Sequence, residues 1–365
     1  MQATRHAERL ERVHETLEAV RADWLIVPPS ADFRWLTGAR ARATERLVML
    51  ALPQRGDPFC LVPRLESDAL GLECPWLELE IWEEHEDPFA RLARRLTLER
   101  RPSVLVGDGL RAAPMLRLTE AARCRAASEV LAPLRAVKDR EELQLMEQAA
   151  GHADQVVERV ADHLPVGLTE RQAARFAIEQ LEALGDTDPW VIIATGPNSA
   201  LPHHHTSDRR ILEDDVALID LGASTQGYGS DITRTYWLGT PPDGAPAVYQ
   251  VVNEARRAGI EASSANVPAE KVDRAARQVI TRAGLGDHFL HRTGHGVGLE
   301  VHELPYLVSG NRAPLEAGMV HSVEPGVYFQ GRYGVRLEDL VVVEENAARP
   351  LNRAPFDPRP PRRRG

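Results

Sequence analysis

Asp220 sits in Ala217-Leu218-Ile219-Asp220-Leu221-Gly222, a carboxylate inside an apolar run. An ionised group there is costly unless it is paired or bound to a metal. Asp231 follows in Gly229-Ser230-Asp231-Ile232-Thr233-Arg234, and the intervening 223–229 is rich in turn formers. The two segments are therefore expected to form a hairpin carrying both carboxylates on one sheet face; the plainer reading is a buried Asp paired with Arg234. His295 lies in Thr293-Gly294-His295-Gly296, flanked by glycines that let a backbone approach closely, and His302 follows in Val301-His302-Glu303. Glu324 ends the apolar Ser322-Val323 segment, and Glu338 lies in Val335-Arg336-Leu337-Glu338-Asp339-Leu340. On one extended strand Arg336 and Glu338 would share a face.

Taken singly, each of these groups could be a hydrogen bonder or a salt-bridge partner. As a set they say more. Four carboxylates gathered without cations would repel one another strongly, so either they are scattered or metal ions hold them. Two divalent ions would balance four carboxylates, with one neutral imidazole besides. An oxygen-rich site with one nitrogen suits Mn²⁺, Co²⁺ or Fe²⁺ better than an all-sulfur or all-imidazole zinc site. Such a pair lowers the pKa of a shared water and polarises a carbonyl, which is hydrolysis without a nucleophilic side chain.

The elements that must position these groups fall into two parts. An opening helix over about 5–20 leads to strands at Trp24–Pro29, ending in a turn, Phe33–Gly38, Leu47–Leu52 and Ser103–Gly107, an alternating α/β pattern without clustered chemistry. The stretch Leu131–Asp139 reads as a boundary. Beyond it, helices over 139–163 and 169–184 precede strands at Trp190–Thr195, Val216–Gly222 and Asp231–Leu238. Helices over 246–262 and 268–284 then precede strands at Met319–Pro325 and Gly334–Val343. Helix pair, strands, helix pair, strands is an approximate duplication, and the candidate chemistry lies within it.

A chain of 365 residues, 43% hydrophobic and 27% charged, has ample material for two cored domains. Its formal charge of −10 argues against nucleic acid as the main partner. Arg359, Arg362, Arg363 and Arg364, set among prolines, read as a solvated tail. Cys60, Cys74 and Cys124 lack metal-ligand spacing and fit a reduced, cytoplasmic setting. No apolar run approaches the roughly 18 residues of a membrane span, and the N-terminus has no signal-like core.

The segments LIDLGA, GSDITRT, RTGHGVGLEVHE, SVEPGVY and GVRLEDL, in that order, resemble the Xaa-Pro peptidases of the pita-bread metallopeptidase superfamily, the prolidases and aminopeptidases P. The resemblance implies an α/β (α+β) chain with a smaller creatinase-like N-terminal domain over 1–132, a pita-bread catalytic domain over 133–350 and a Pro/Arg-rich tail over 351–365. It implies two divalent metal ions, Mn most of all, with Co, Zn or Fe as alternatives. Asp220, Asp231, His295, Glu324 and Glu338 match the family's ligands, with Asp231 and Glu338 bridging and Glu324 also taking the proton of the attacking water. His302 and Arg336 match residues that line the substrate cleft. In Pro202-His203-His204-His205 the family carries one active-site histidine; it aligns best with His203, while the run of three leaves the register open. His321, three residues before Glu324, should face away and be structural. A homodimer is also implied.

Dipeptidase and longer-peptide activities share this centre. A fixed cation meeting the proline carboxylate would favour dipeptides. Arg40, Arg42 and Arg46 follow the first strands, and Arg46, directly before Leu47–Leu52, is the best held; it is expected to select dipeptides, against the alternative of a solvated loop arginine. The function expected is Xaa-Pro dipeptide hydrolysis, with aminopeptidase P activity, a methionine aminopeptidase, a non-catalytic pita-bread binding protein or a metal-free amidinohydrolase such as creatinase as the competing readings.

Overall fold

The computed structural model of the chain describes residues 2–164 and 166–361. It divides into two compact units, Met1–Arg135 and Ala136–Gly365.

The first unit is a six-stranded mixed sheet flanked by helices. Its strands are β1 (Trp24–Val27), β2 (Met49–Pro53), β3 (Phe59–Pro63), β4 (Glu78–Trp82), β5 (Ser103–Val106) and β6 (Arg123–Ala126), in the order β4-β3-β2-β1-β5-β6. β1 runs parallel to β5 and antiparallel to β2. The helices are α1 (Gln2–Ala19), α2 (Ala31–Thr37), α3 (Arg64–Glu73), α4 (Pro88–Arg95), α5 (Ala112–Ala121) and α6 (Ser128–Ala136). Ile26, Ala51, Leu61, Leu92 and Val104 make its core.

One expectation fails here. Phe33–Gly38 is not a strand but α2 and its cap. Ser30 accepts from the Phe33 amide at the start, and Gly38 closes the end at φ +80°. A capping serine before an acidic first turn and a left-handed glycine after it are helix punctuation, and they outweigh the aromatic residues between them.

The second unit repeats a helix-pair-and-sheet plan. Helices α7 (Arg140–Asp162) and α8 (Glu170–Ala183) each begin with a reciprocal capping box, Asp139 with Glu142 and Thr169 with Gln172. Their apolar faces, including Val156, Val160, Ala177 and Leu181, bury against Ile193, Ile219 and Leu221. Those last residues belong to the sheet of β7 (Thr187–Thr195), β8 (Val216–Thr225), β9 (Tyr228–Gly229) and β10 (Ile232–Trp237), ordered β10-β8-β7 with β9 on β8. Helices α9 (Ala245–Glu261) and α10 (Ala269–Arg282) follow, and Val248, Val252 and Ile280 share a core with Val327, Val335 and Leu337. The last strands are β11 (Gly294–Gly296), β12 (Glu303–Leu307), β13 (Val320–Val323), β14 (Gly326–Phe329), β15 (Tyr333–Arg336), β16 (Asp339–Val343) and β17 (Ala348–Pro350). They form a five-stranded sheet, β12-β11-β13-β16-β17, and a separate hairpin of β14 with β15.

Two further readings are corrected. The single strand expected over 334–343 is broken at Leu337-Glu338 into β15 and β16, which serve different sheets. The tail expected from 351 is in fact packed through its first residues: Leu351, Asn352 and Ala354 are buried. Phe356 lies under the guanidinium groups of Arg234 and Arg256, at 4.0 and 3.6 Å. Apolar residues spaced among the prolines carry that packing, and a count of Pro and Arg conceals them. Arg362, Arg363 and Arg364 lie outside the described residues.

Among the described residues no helix is long and apolar enough to cross a membrane. Cys60 and Cys74 are buried, Cys124 is half-buried, and all three are free.

Candidate metal centre

The candidate ligands come from both sheets and from the break between hairpin and sheet. Asp220 is on β8, opposite Thr233 of β10, and Asp231 immediately precedes β10. The hairpin expected for this pair is therefore present, whereas Arg234 pairs with Asp339 at 2.8 Å. His295 is the middle residue of β11, and its two glycines are there because nothing larger fits. A Cβ at Gly294 would fall 2.0 Å from the Ser322 carbonyl oxygen, and one at Gly296 would fall 2.0 Å from that of Leu304. The imidazole is thus clamped between β12 and β13.

Asp231, His295 and Glu338 each offer a ligand atom, and these atoms lie within 4.8 Å of one another. His295 Nε2 is 3.3 Å from Glu324 Oε1 and 3.7 Å from Asp231 Oδ2. Its Nδ1 is 3.1 Å from the Gly296 carbonyl, and its Nε2 faces the carboxylates. Glu338 Oε2 accepts from Thr233 Oγ1 at 2.6 Å. Asp220 Oδ2 accepts from Arg336 Nη2. Its Oδ1 is buried and has no hydrogen-bond partner among the described residues.

The electrostatics agree with a missing positive charge. Burial pushes Asp231 well above the ordinary carboxylate range, reinforced by repulsion from Glu338 and Asp220. Glu338 is raised in the same way, by burial and then by Glu324 and Asp220. Burial and the charge of Glu324 also raise Asp220, although Arg336 opposes them. Glu324 is the exception: burial opposes its ionisation, but the hydrogen bond and charge of His295 bring it down to about 2. Four carboxylates thus face one guanidinium and one imidazole. A buried carboxylate oxygen without a donor and three acids that resist ionisation are what an oxygen-rich divalent-cation site requires. The donor set fits such ions.

A cavity of about 590 Å³ opens onto this cluster. Trp190, Val191, Ile192 and Val301 supply an apolar wall, while His203, His291, Arg292, His302 and Arg336 supply the polar one. The three adjacent histidines separate cleanly. His203 lines the cavity, His204 is buried with Nε2 2.9 Å from Glu170 Oε2, and His205 is exposed and outside the lining. The His302 ring lies 4.1 Å from that of His295. Burial and the neighbouring His295 and Arg292 lower its pKa to about 4. Arg336 is anchored by Asp220, by the Tyr328 hydroxyl at 3.0 Å and by the Pro202 carbonyl at 3.2 Å. His321 is fully buried and outside the cavity lining, with Nδ1 3.0 Å from the Ser322 carbonyl.

Arg46 is placed differently. It belongs to the first unit, where it pairs with Glu84 and Glu45 and lines a separate cavity of about 610 Å³. Sequence reasoning passed over Trp190, His291, Arg292, Tyr328, Thr233 and Glu170. The alternation in Asp231-Ile232-Thr233 could have found Thr233, and Tyr328 stands close behind the Glu324 segment. Nothing local marks Glu170, which looks like any acidic residue in a first helical turn.

Paired helix layers over two sheets, with a buried oxygen-rich cluster between the strands, define a metallopeptidase of the pita-bread type, following a creatinase-like first unit in the sequence. Residues 144–345 match metallopeptidase family M24, and residues 9–137 match the creatinase/prolidase N-terminal domain. The chain belongs to metallopeptidase family M24, whose members act with divalent metals. It is 40% identical over 341 residues to a probable dipeptidase PepE of Mycobacterium tuberculosis, covering 91% of this chain and 90% of that one. The crystal structure of dipeptidase PepE from Mycobacterium ulcerans superposes with a TM-score of 0.92, at 38% identity and 98% coverage of both chains. A prolidase from Thermococcus sibiricus superposes with a TM-score of 0.91, at 33% identity, over 96% of this chain and 98% of that one.

Proposed function

We propose that this protein is a dinuclear-metal Xaa-Pro dipeptidase. The observation that carries the reading is the convergence of Asp231, His295 and Glu338 within 4.8 Å, beside an Asp220 oxygen that has no donor. Asp220, Asp231, His295, Glu324 and Glu338 would hold two divalent ions, Mn²⁺ first, with Co²⁺, Zn²⁺ or Fe²⁺ as substitutes. When bound, such ions supply Lewis-acid polarisation of the scissile carbonyl and an activated water.

The chain's own side chains do the rest. Glu324, held ionised by His295, would accept the water's proton. His302 stays neutral through the physiological range and would contact the substrate near the scissile bond. His203 lines the same cavity and would hydrogen-bond the oxyanion or the departing proline nitrogen. Arg336, locked by Tyr328 and Asp220, sets a fixed positive edge to the cleft. The apolar wall from Trp190 to Ile192, with Val301, excludes water from the remainder of the cavity.

The preference for dipeptides is assigned to Arg46, whose partners Glu84 and Glu45 are side chains that a substrate carboxylate would replace. A homodimer is expected on the family resemblance, and a reducing cytoplasmic setting on the three free cysteines. The deciding measurement is hydrolysis of an Xaa-Pro dipeptide beside an Xaa-Pro-Xaa tripeptide, with Mn²⁺ and again after EDTA. Metal-dependent turnover favouring the dipeptide is expected. Turnover of the tripeptide alone would make the protein an aminopeptidase, and full activity in a metal-stripped sample would remove the reading altogether. Arg46→Ala should lower the dipeptide-to-tripeptide ratio of kcat/KM about tenfold; an unchanged ratio discards the assignment to Arg46.

A further inference from the structure

Glu170 is a fully buried carboxylate outside the metal cluster, at the first position of α8. Six donor groups converge on it. The Thr195 amide and hydroxyl reach Oε1 at 2.8 and 2.9 Å. Asn198 Nδ2 reaches both oxygens, at 3.0 and 3.2 Å. His204 Nε2 and the Ser207 amide and hydroxyl reach Oε2 at 2.9, 3.1 and 2.6 Å. These donors come from both ends of one segment, 195–207, and the cavity-facing His203 sits between them. From its other side the same segment is tied to the metal-site hairpin: the Gly334 amide donates to Ser199 Oγ at 2.9 Å, and Arg336 Nη1 donates to the Pro202 carbonyl.

We propose that Glu170 is a positioning residue that, through His204 and the ends of segment 195–207, fixes His203 in the cavity. A buried carboxylate is tolerated only when its lone pairs are filled, and this one is filled by the end of β7 and the segment that follows it. The loop has no regular secondary structure between Leu201 and Arg209 to hold His203 otherwise. His204 must present an N–H to Glu170, so its ring is committed and the adjacent backbone is fixed. That also gives a reason for adjacent histidines with opposite surroundings, one serving the cavity and one serving the clamp. The proposal rests on the peptidase reading for its kinetic consequence, but its geometric content stands apart from that.

The test uses the full-length, metal-loaded protein. Glu170→Gln turns one acceptor oxygen into a donor against the converging donors, and kcat for an Xaa-Pro dipeptide should fall by roughly 100-fold with KM changed much less. Metal content should stay at the wild-type value. In a His203→Ala background the same change should cost less than about twofold, because the residue it positions is gone; an equal loss in both backgrounds overturns the proposal. His204→Gln keeps an N–H donor and should retain most activity, whereas His204→Leu should lose it. This pair decides the matter should Glu170→Gln fail to fold, and identical behaviour of the two overturns the proposal. Hydrogen exchange provides a readout without substrate: residues 195–207 should exchange faster in Glu170→Gln or His204→Leu, with residues 320–323 unchanged. Unchanged exchange in 195–207 overturns the clamp, whereas a wild-type protein inert toward every Xaa-Pro peptide would remove the peptidase reading and leave the exchange result to judge the clamp.

Discussion

The two units differ in where most of their ion pairs lie, although the first buries Arg135 with Asp32 and the second exposes Arg171 with Asp208. In the first, ion pairs such as Arg95 with Glu78, Arg117 with Asp87 and Arg55 with Glu18 are substantially exposed. In the second, charges lie in the interior: Lys138 with Glu303 at 2.7 Å, Arg234 and Arg256 with Asp339, Arg336 with Asp220, and Glu170 under its six donors. Exposed pairs are screened by water and contribute little, while buried ones must be satisfied in full. A unit that accepts the desolvation of so many charges is one whose chemistry needs them fixed. Lys138 shows the same logic as Glu170. Its partner Glu303 directly follows His302, so His203 and His302 each precede a residue tied to a buried charge.

The largest effect should come from the cluster itself. His295→Ala removes the nitrogen facing Asp231 and Glu324, and kcat/KM should drop by at least about 10³ together with metal content. Retention of both metal and activity would break the contrast between the units.

Arg234→Ala ranks next. It strips Asp339 of one guanidinium, the Glu338 carbonyl of a donor and Phe356 of a stacked cation, and should cost about 3–5 kcal/mol in denaturant unfolding. Removal of metal should then change how stability responds to pH. In the stripped protein Asp231 and Glu338 have folded pKa values raised above their unfolded ones. The folded state therefore holds protons that the unfolded chain has released, and stability is lost as pH rises from the ordinary carboxylate range through the raised folded values. The melting temperature of the EDTA-treated protein should rise as pH is lowered from about 8 toward about 5, and Mn²⁺ should abolish that rise; a parallel response in both samples would contradict it. At the small end, Arg95→Ala in the first unit should change unfolding by less than about 1 kcal/mol and fade further in high salt. A loss comparable to that of Arg234 would erase the distinction.

Much of the second unit could be read from pattern. Helices α7 to α10 are announced by apolar periodicity, α7 and α8 also by capping residues, and the four candidate carboxylates by being charged where their neighbours are apolar. Both signals are local, because a period of 3.6 residues or a lone acid in Ala-Leu-Ile-Asp-Leu depends on nothing distant. Local evidence failed where long-range packing chose the outcome. The break at Leu337-Glu338 exists because β15 pairs with β14 while β16 pairs with β13. Phe356 is ordered because two arginines more than 95 residues away in sequence lie against it.

By itself, then, the chain of residues determined the helix pairs and the set of charged side chains standing in apolar segments, since each is encoded within a few neighbouring positions. Only the tertiary structure decided which of three consecutive histidines meets the cavity. Composition treats His203, His204 and His205 alike; a carboxylate brought in from Glu170, at the start of α8, takes the middle one and leaves the first facing the cluster. Hydrogen bonds between groups distant in the chain are decided by where the fold delivers them, and no short stretch of sequence carries that information.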